Sequence, residues 1–335
     1  MRKPVLVSGI QPTGRLHLGN YLGMLKNAIE LQNSGKYDCY YFLADLHSLT
    51  ESTSREEKAK QILELGVDLL ALGLDPKKSV LFQQSQIPAH SELSWILTTI
   101  VPLGELYRMT QFKDKTSKET SSNPEQRTSN AGLLTYPVLM ASDIILYGAK
   151  FVPVGEDQVQ HLELTRTLAR KFNAKYGETF TEPQPILTRA ARIMSLGNPD
   201  RKMSKSQAET CLFLDDSLEE ILQKIKRAVT DSGSEIKFDK KNKPAISNLL
   251  TIYSEISGKS IVGLEKEYEG KRYSEFKEHL AETIIVHLEK YWERKKKLLG
   301  RPGTIKSVLK NGSDKAQKIA GKKITEVKKK IGLLL

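Results

Sequence analysis

Two cations and two hydroxyls fall within five residues at Lys202, Met203, Ser204, Lys205 and Ser206. Such a loop can meet negative charge as it develops on a departing phosphate, the lysines by charge and the serines and backbone N–H groups by hydrogen bonding. Standing alone in a lysine-rich chain it would read as a solvated charge run. Far upstream, however, SGIQPTGRLHLGN runs from Ser8 to Asn20, directly after the apolar stretch Pro4 to Val7. Gln11, Pro12 and Thr13 lie in the turn, His17 stands on it, and Gly19 and Asn20 open a helix. A helix N-terminus offers unpaired N–H groups and partial positive charge to a phosphate or ribose oxygen, and glycine there lets the backbone come close to a ligand. Gly14 to Gly19 also matches the opening of a P-loop, but Asn20 and Tyr21 occupy the places of its Lys and Ser/Thr, which rejects that reading.

The elements around these segments alternate. Residues 4 to 9 read as a buried strand, followed by an amphipathic helix from about Asn20 to Gln32 and a second strand from Cys39 to Leu46. Ser54 and Glu57 stand in capping-box spacing before a helix that runs to Leu72, where Gly73, Asp75 and Pro76 stop it, and Val80 to Gln83 reads as a third strand. Strands alternating with helices predict an α/β fold with a parallel sheet, whose ligands sit beyond the carboxyl ends of the strands. The polar stretch from Thr116 to Asn130 reads as a mobile insertion. From Asp215 onward strand signals fade. Ser217 with Glu220 opens another helix, and basic helical periodicity continues, dividing the chain into residues 1–214 and a helical unit over 215–335. In the last stretch, Asp314 to Lys330, the residues Ile319, Ile324, Val327 and Ile331 are placed on one buried stripe of a helix that could pack back on the first unit.

A chain of 335 residues and formal net charge +12 has room for about two cores and a field that favours a polyanion, nucleic acid ahead of anionic membrane. Two cysteines, Cys39 and Cys211, far apart in sequence, provide neither a disulfide framework nor a Cys-x-x-Cys metal site. With no long apolar stretch near the N-terminus, a cytoplasmic setting is expected and a membrane address is not.

In this order and spacing, LHLGN and KMSKS resemble the two signature motifs of class I aminoacyl-tRNA synthetases, with Asn20 in place of the final His of the His-Ile-Gly-His motif. LLTYPVLMASDIILYGA (Leu133 to Ala149), VPVGEDQVQHLELTR (Val152 to Arg166), ARIMSL before the lysine loop, AVTDS and ISNLLTIYS are similar to the tryptophanyl branch, and the resemblance covers residues 5 to 290. It implies a Rossmann-like catalytic unit followed by a helical, anticodon-binding one. ATP, with Mg2+ on its phosphates, is the implied cosubstrate, and no metal ligands of the protein itself are implied. The implied ATP contacts are Gln11, Pro12, Thr13, His17, Gly19, Asn20, Gly155, Glu156, Asp157, Ile193 against adenine, and Lys202, Met203, Ser204, Lys205 and Ser206. Catalysis falls to Lys202, Lys205, Ser204, Ser206 and Gln11.

For the amino acid, an indole requires apolar walls and one acceptor for its single N–H. Met140, Asp143 and Ile144 lie at i, i+3 and i+4, so they share a helix face on which Asp143 accepts that N–H. Val152 and Val154 help close around the rings. The resemblance further implies that Tyr136, Gln158, Gln11 and His47 hold the amino or carboxylate end, and that Val7, where some members carry an aromatic, and Gly9 belong to the tryptophan pocket. tRNA(Trp) is the implied partner and a homodimer the implied assembly. Two alternatives keep much of this pattern: the same fold acting on tyrosine, and a catalytically silent paralogue that binds RNA. The intact lysine loop, GEDQ, Asp143 and Asn20 argue against the latter.

Overall fold

The computed structural model describes residues 3–51, 53–116, 130–155, 158–187 and 191–334. Its first half contains β1 (Val5–Ile10), α1 (Leu18–Asn20), which passes through a π-helical turn (Tyr21–Leu25) into α2 (Lys26–Asn33), β2 (Asp38–Leu43), α3 (Arg55–Leu72) and β3 (Ser79–Gln83). Then follow α4 (Ala89–Thr98), α5 (Leu103–Tyr107), α6 (Thr110–Thr116), α7 (Ala131–Ile145), β4 (Phe151–Val154), α8 (Val159–Tyr176) and β5 (Gln184–Leu187). The remainder is helical: α9 (Leu218–Arg227), α10 (Pro244–Ser257), α11 (Ile261–Glu267), α12 (Tyr273–Leu299) and α13 (Pro302–Lys330).

The strands pair in parallel in the order β3-β2-β1-β4-β5. The chain winds outward from β1 to β3 on one side and from β4 to β5 on the other, so a crevice opens between the carboxyl ends of β1 and β4. This is the parallel α/β arrangement that the alternating pattern predicts, and the Rossmann-like unit that the family resemblance implies. Because both faces are covered, the strands read as nearly unbroken apolar runs. Alternate residues separate cleanly: Leu6, Ile10, Cys39, Tyr41, Leu43 and Leu81 enter one core, and Val7, Tyr40, Phe42 and Phe82 enter the other.

Four elements differ from the sequence reading. The second strand stops at Leu43 rather than Leu46, because the chain turns there and Asp45 accepts hydrogen bonds from the Ser85 N–H and the Gln83 amide. The first helix is not uniform: its second turn widens into the π-helical segment. Strands β4 and β5 carry Pro153 and Pro185, which cannot donate to a ladder and hide a strand from periodicity. The insertion read over Thr116 to Asn130 lies, for residues 117–129, outside the described residues.

Helix α13 crosses the β3 side of the sheet rather than forming a simple greasy stripe. Gly312 sits so close to the Leu81 backbone that a Cβ would overlap its carbonyl oxygen, and Ala316 and Ala320 continue that face at four-residue spacing, fully buried. Ile324 and Val327 are buried as expected, and Ile331 is partly so, but Ile319 is 37% exposed. Close approach of a helix to a strand selects small side chains, so the large apolar residue one position away is turned outward. Covering β3 in this way also protects an edge that would otherwise present unpaired backbone.

The helical half is tied to the sheet half by polar as well as apolar contacts. The Tyr291 hydroxyl donates to the buried Asp68 at 2.8 Å, Lys295 pairs with the same carboxylate at 2.7 Å, and the Trp292 indole N–H donates to the Leu214 carbonyl. Burial raises the Asp68 pKa while Lys295 opposes that shift.

Candidate active site

The two chemical segments meet through backbone pairing. Leu18 N–H donates to the Leu212 carbonyl and Leu214 N–H to the Leu16 carbonyl, so the turn after β1 pairs antiparallel with residues just beyond the lysine loop. The loop itself folds back on 193–195: Met203 N–H donates to the Ile193 carbonyl and Ser195 N–H to the Arg201 carbonyl. Asn248, on α10, holds the Met194 backbone through both its amide atoms. Met203 is 5% exposed and belongs to the apolar core, which anchors the middle of a segment whose Lys202, Ser204 and Ser206 are exposed. The Ser204 and Ser206 hydroxyls are 3.1 Å apart. Lys205 reaches back to the turn, donating to the Thr13 carbonyl and hydroxyl, each at 2.9 Å, and to the Gly14 carbonyl at 3.3 Å. Burial pushes the Lys205 pKa below that of an ordinary lysine.

His17 and Asn20 cap the helix reciprocally. Asn20 N–H donates to His17 Nδ1 at 3.2 Å, and His17 N–H donates to Asn20 Oδ1 at 3.1 Å. With Nδ1 accepting, the neutral ring carries its proton on Nε2. Burial, helped by the nearby Lys205 charge, lowers the His17 pKa to about 4. Gly19 stands at the first turn, where a Cβ would crowd the His17 ring. Gln11, Thr13 and Gly155 are half-buried around the carboxyl ends of β1 and β4, Pro12 is buried, and Ile193 is buried in the core beneath them. Arg15, which sequence reasoning passed over, braces the turn through ion pairs to Asp215 at 2.7 Å and Asp216 at 3.0 Å. Glu156 and Asp157 lie outside the described residues.

The second constellation gathers on α7. Asp143 is 1% exposed, and its carboxylate accepts from four directions: His47 Nε2 on Oδ2 at 2.8 Å, His90 Nδ1 on Oδ1 at 2.6 Å, and the Gln84 amide on both oxygens at 2.8 and 2.9 Å. Burial alone would raise its pKa, but the hydrogen bonds and charges of His47 and His90 hold it down to about 2, so it is ionised. His90 Nε2 faces the Tyr147 hydroxyl at 2.8 Å. The ring of Tyr136 meets that of His47 edge-on at 6.2 Å, and its hydroxyl contacts His161 Nε2 and donates to Gln111. Burial raises the Tyr136 pKa to about 12, leaving the phenol a donor at neutral pH.

Val7, Ile144, Val152 and Val154 are buried in one core, and Met140 packs against it, half-exposed. Gly9 is fixed by its neighbour, since a Cβ there would strike the Phe42 ring. Gln158 is the cap residue of α8 and its N–H donates to the Gly155 carbonyl. Besides Arg15, sequence reading assigned no role to Gln84, His90, Tyr147 and Asn248. Gln84 and His90 lie outside every motif, and only a buried carboxylate demanding partners could have signalled them. Tyr147 and Asn248 lie inside the segments LLTYPVLMASDIILYGA and ISNLLTIYS, where nothing local marks their partners.

A strand, a turn carrying His17, and a lysine-bearing loop folded onto that turn define a nucleotide-binding fold of the synthetase type. The family model for tRNA synthetases class I (W and Y) matches residues 1–289, and the chain belongs to that family. Within it the chain stands with the tryptophan branch. It is 46% identical to the tryptophan--tRNA ligase of Halalkalibacterium halodurans, over 99% of this chain and 98% of that protein. Among solved structures, the tryptophanyl-tRNA synthetase of Mycoplasma pneumoniae superposes with a TM-score of 0.89 at 36% identity, covering 99% of this chain and 98% of that one. The Campylobacter jejuni enzyme, solved with ADP and tryptophan, superposes with a TM-score of 0.81 at 34% identity, covering 98% and 99%.

Proposed function

We infer that this chain is a tryptophan–tRNA ligase whose described site performs both half-reactions. The tryptophan carboxylate attacks the α-phosphorus of ATP, the bond to the bridging oxygen of the β-phosphate breaks, and tryptophanyl-adenylate and pyrophosphate result. The terminal ribose hydroxyl of tRNA(Trp) then takes the acyl group and AMP leaves. The observation that carries this reading is Lys205, whose ammonium meets the Thr13 and Gly14 carbonyls across 192 residues of chain. On this reading a polyphosphate binds at the same turn and Lys205 meets its leaving group. Lys202, Ser204 and Ser206 add charge and hydroxyl donors, and positioning with charge stabilisation does most of the work.

Gln11, Pro12, Thr13, His17, Gly19, Asn20, Gly155, Ile193 and Met203 shape the ATP site, and Glu156 and Asp157, outside the described residues, are assigned to ATP by the resemblance alone. Magnesium enters as MgATP. The nearby donors are lysines, hydroxyls and carbonyls, and among the described residues no group of three or more His, Cys, Asp or Glu could hold an ion. Asp143 accepts the indole N–H while Val7, Gly9, Met140, Ile144, Val152 and Val154 enclose the rings, and Tyr136, Gln158 and His47 hold the polar end.

Residues 1–214 form the activating unit, and the basic helices of 215–335 grip tRNA, supported by a net charge of +12. A second copy of the chain is the expected partner. Trp95, Leu103 and Tyr107 are 71, 56 and 50% exposed on the consecutive helices α4 and α5, and large apolar exposure of that kind marks interaction sites. The cytoplasm is the proposed setting; among the described residues no helix is long and apolar enough to cross a membrane. Amino-acid-dependent pyrophosphate exchange with tryptophan, tyrosine and phenylalanine tests the reading. Exchange with tryptophan alone is expected, and exchange with tyrosine alone would overturn the pocket assignment.

A further inference from the structure

Behind the Asp143 carboxylate lies a polar cluster that the chemistry so far does not use. A carboxylate offers about four acceptor directions, and here all of them are taken. Their exposure is unequal. The side chains of His90 and Asp143 and the whole of Gln84 are essentially sealed from solvent, whereas the His47 side chain keeps 14% of its surface open. Oδ1 is closed by two sealed donors, His90 and Gln84, and Oδ2 by one share of the Gln84 amide plus His47. Oδ2 is therefore the oxygen whose covering partner can yield to an arriving donor. His90 itself is fixed from three sides: Nδ1 to Asp143, Nε2 to Tyr147, and its backbone carbonyl by the Ser142 hydroxyl at 2.7 Å. Tyr147 in turn stacks on Tyr40. Rotating the imidazole would strand the Tyr147 hydroxyl and put a C–H against the carboxylate.

We propose that His90, locked by Tyr147, is a positioning residue for amino-acid specificity: with Gln84 it closes Oδ1 and fixes the carboxylate so that Oδ2 faces the indole N–H. The inference rests on the reading of Asp143 as the indole acceptor. A site built around a hydrogen bond rejects analogues that lack it far better than an apolar slot does, but only if the acceptor is held in place. His90 touches no substrate atom; it acts through Asp143.

The test compares tryptophan with 3-benzothienylalanine, in which sulfur replaces the N–H, by pyrophosphate exchange on the full-length enzyme. Tyr147→Phe and His90→Leu are expected to raise KM for tryptophan about 10- to 100-fold and to shrink its advantage over the sulfur analogue by a similar factor, with KM for ATP unchanged. His90→Asn, whose amide N–H reaches the place of Nδ1, should recover part of that advantage. A merely structural role would slow both amino acids equally and leave their ratio at the wild-type value, which would overturn the inference. Tyr147→Phe retains the ring and its stacking, so it decides the question if His90→Leu does not fold. A wild-type enzyme that does not distinguish the two amino acids would remove the Asp143 reading itself.

Discussion

The Lys205 ammonium lies 2.9 Å from the carbonyl oxygen of Thr13, a contact across 192 residues that seats the lysine loop on the turn after β1. Three neutral oxygens of Thr13 and Gly14 hold this cation. Neutral acceptors bind an ammonium less strongly than a phosphate does, so on the proposed reading the lysine would transfer to a polyphosphate bound at this turn.

Replacing Lys205 with Ala removes a donor aimed at that charge. Activation of tryptophan should fall by about 10²–10³ with folding intact, since loss of one such donor has that size. Pyrophosphate exchange measured beside a thermal melt separates the two effects, and normal exchange in the variant would exclude the role.

Asp143→Ala should abolish the preference for tryptophan, and unchanged tryptophan affinity in that variant would count against the indole contact. The same carboxylate also contributes to stability. Its folded pKa of about 2 lies below the ordinary value of 3.8, so its contribution, about 2 kcal/mol, is present above the unfolded pKa and is lost as pH falls through the folded one. Denaturant midpoints of wild type and Asp143→Asn, followed from pH 6 to 2, should converge only below about pH 4. A difference that stays constant to the acid end would contradict the ionised, hydrogen-bonded state.

His17, with a folded pKa of about 4 against 6.5 for the free group, shows the same sign for a base buried neutral. The stability it contributes is complete above pH 6.5 and declines as pH falls toward 4. Wild type should therefore lose stability relative to His17→Gln across that window. A gap that does not change there would mean that the imidazole is not buried neutral at the α1 cap.

Gly312→Ala places a methyl group against the Leu81 carbonyl, where neither the strand nor the helix backbone can move aside cheaply. Overpacking of this kind should cost about 3 kcal/mol, seen as a lower denaturant midpoint, with α13 lifted from β3. Ile319→Ala on the exposed side of the same helix should change stability by less than about 0.5 kcal/mol.

Much of the local structure was legible because its causes are local. Ser54 accepts from the Glu57 N–H, and Gly73 ends α3 in the left-handed conformation, as the capping residues indicate. Ser217 and Glu220 form the reciprocal capping box that their spacing predicts. β1 and β3 fall within a residue of their apolar runs because strands buried on both faces leave no polar alternation to confuse them. The two chemical motifs stand out equally in the sequence, since their residue types are concentrated in short segments.

Tertiary structure decided what those segments meet. The order β3-β2-β1-β4-β5 and the pairing of Leu16 and Leu18 with Leu212 and Leu214 bring the lysine loop to the first turn. No local pattern encodes such a contact, because its stabilisation comes from strand neighbours far apart in the chain. In the same way, the sequence placed Asp143 on a helix face with apolar neighbours, but only packing brought His47, Gln84 and His90 onto its oxygens. The physical reason is shared by both cases. Residue type and short-range period fix capping, strand and helix preference, and the kind of group available. Which groups satisfy one another in the low-dielectric interior depends on the three-dimensional arrangement of segments, where an unpaired charge is too costly to persist.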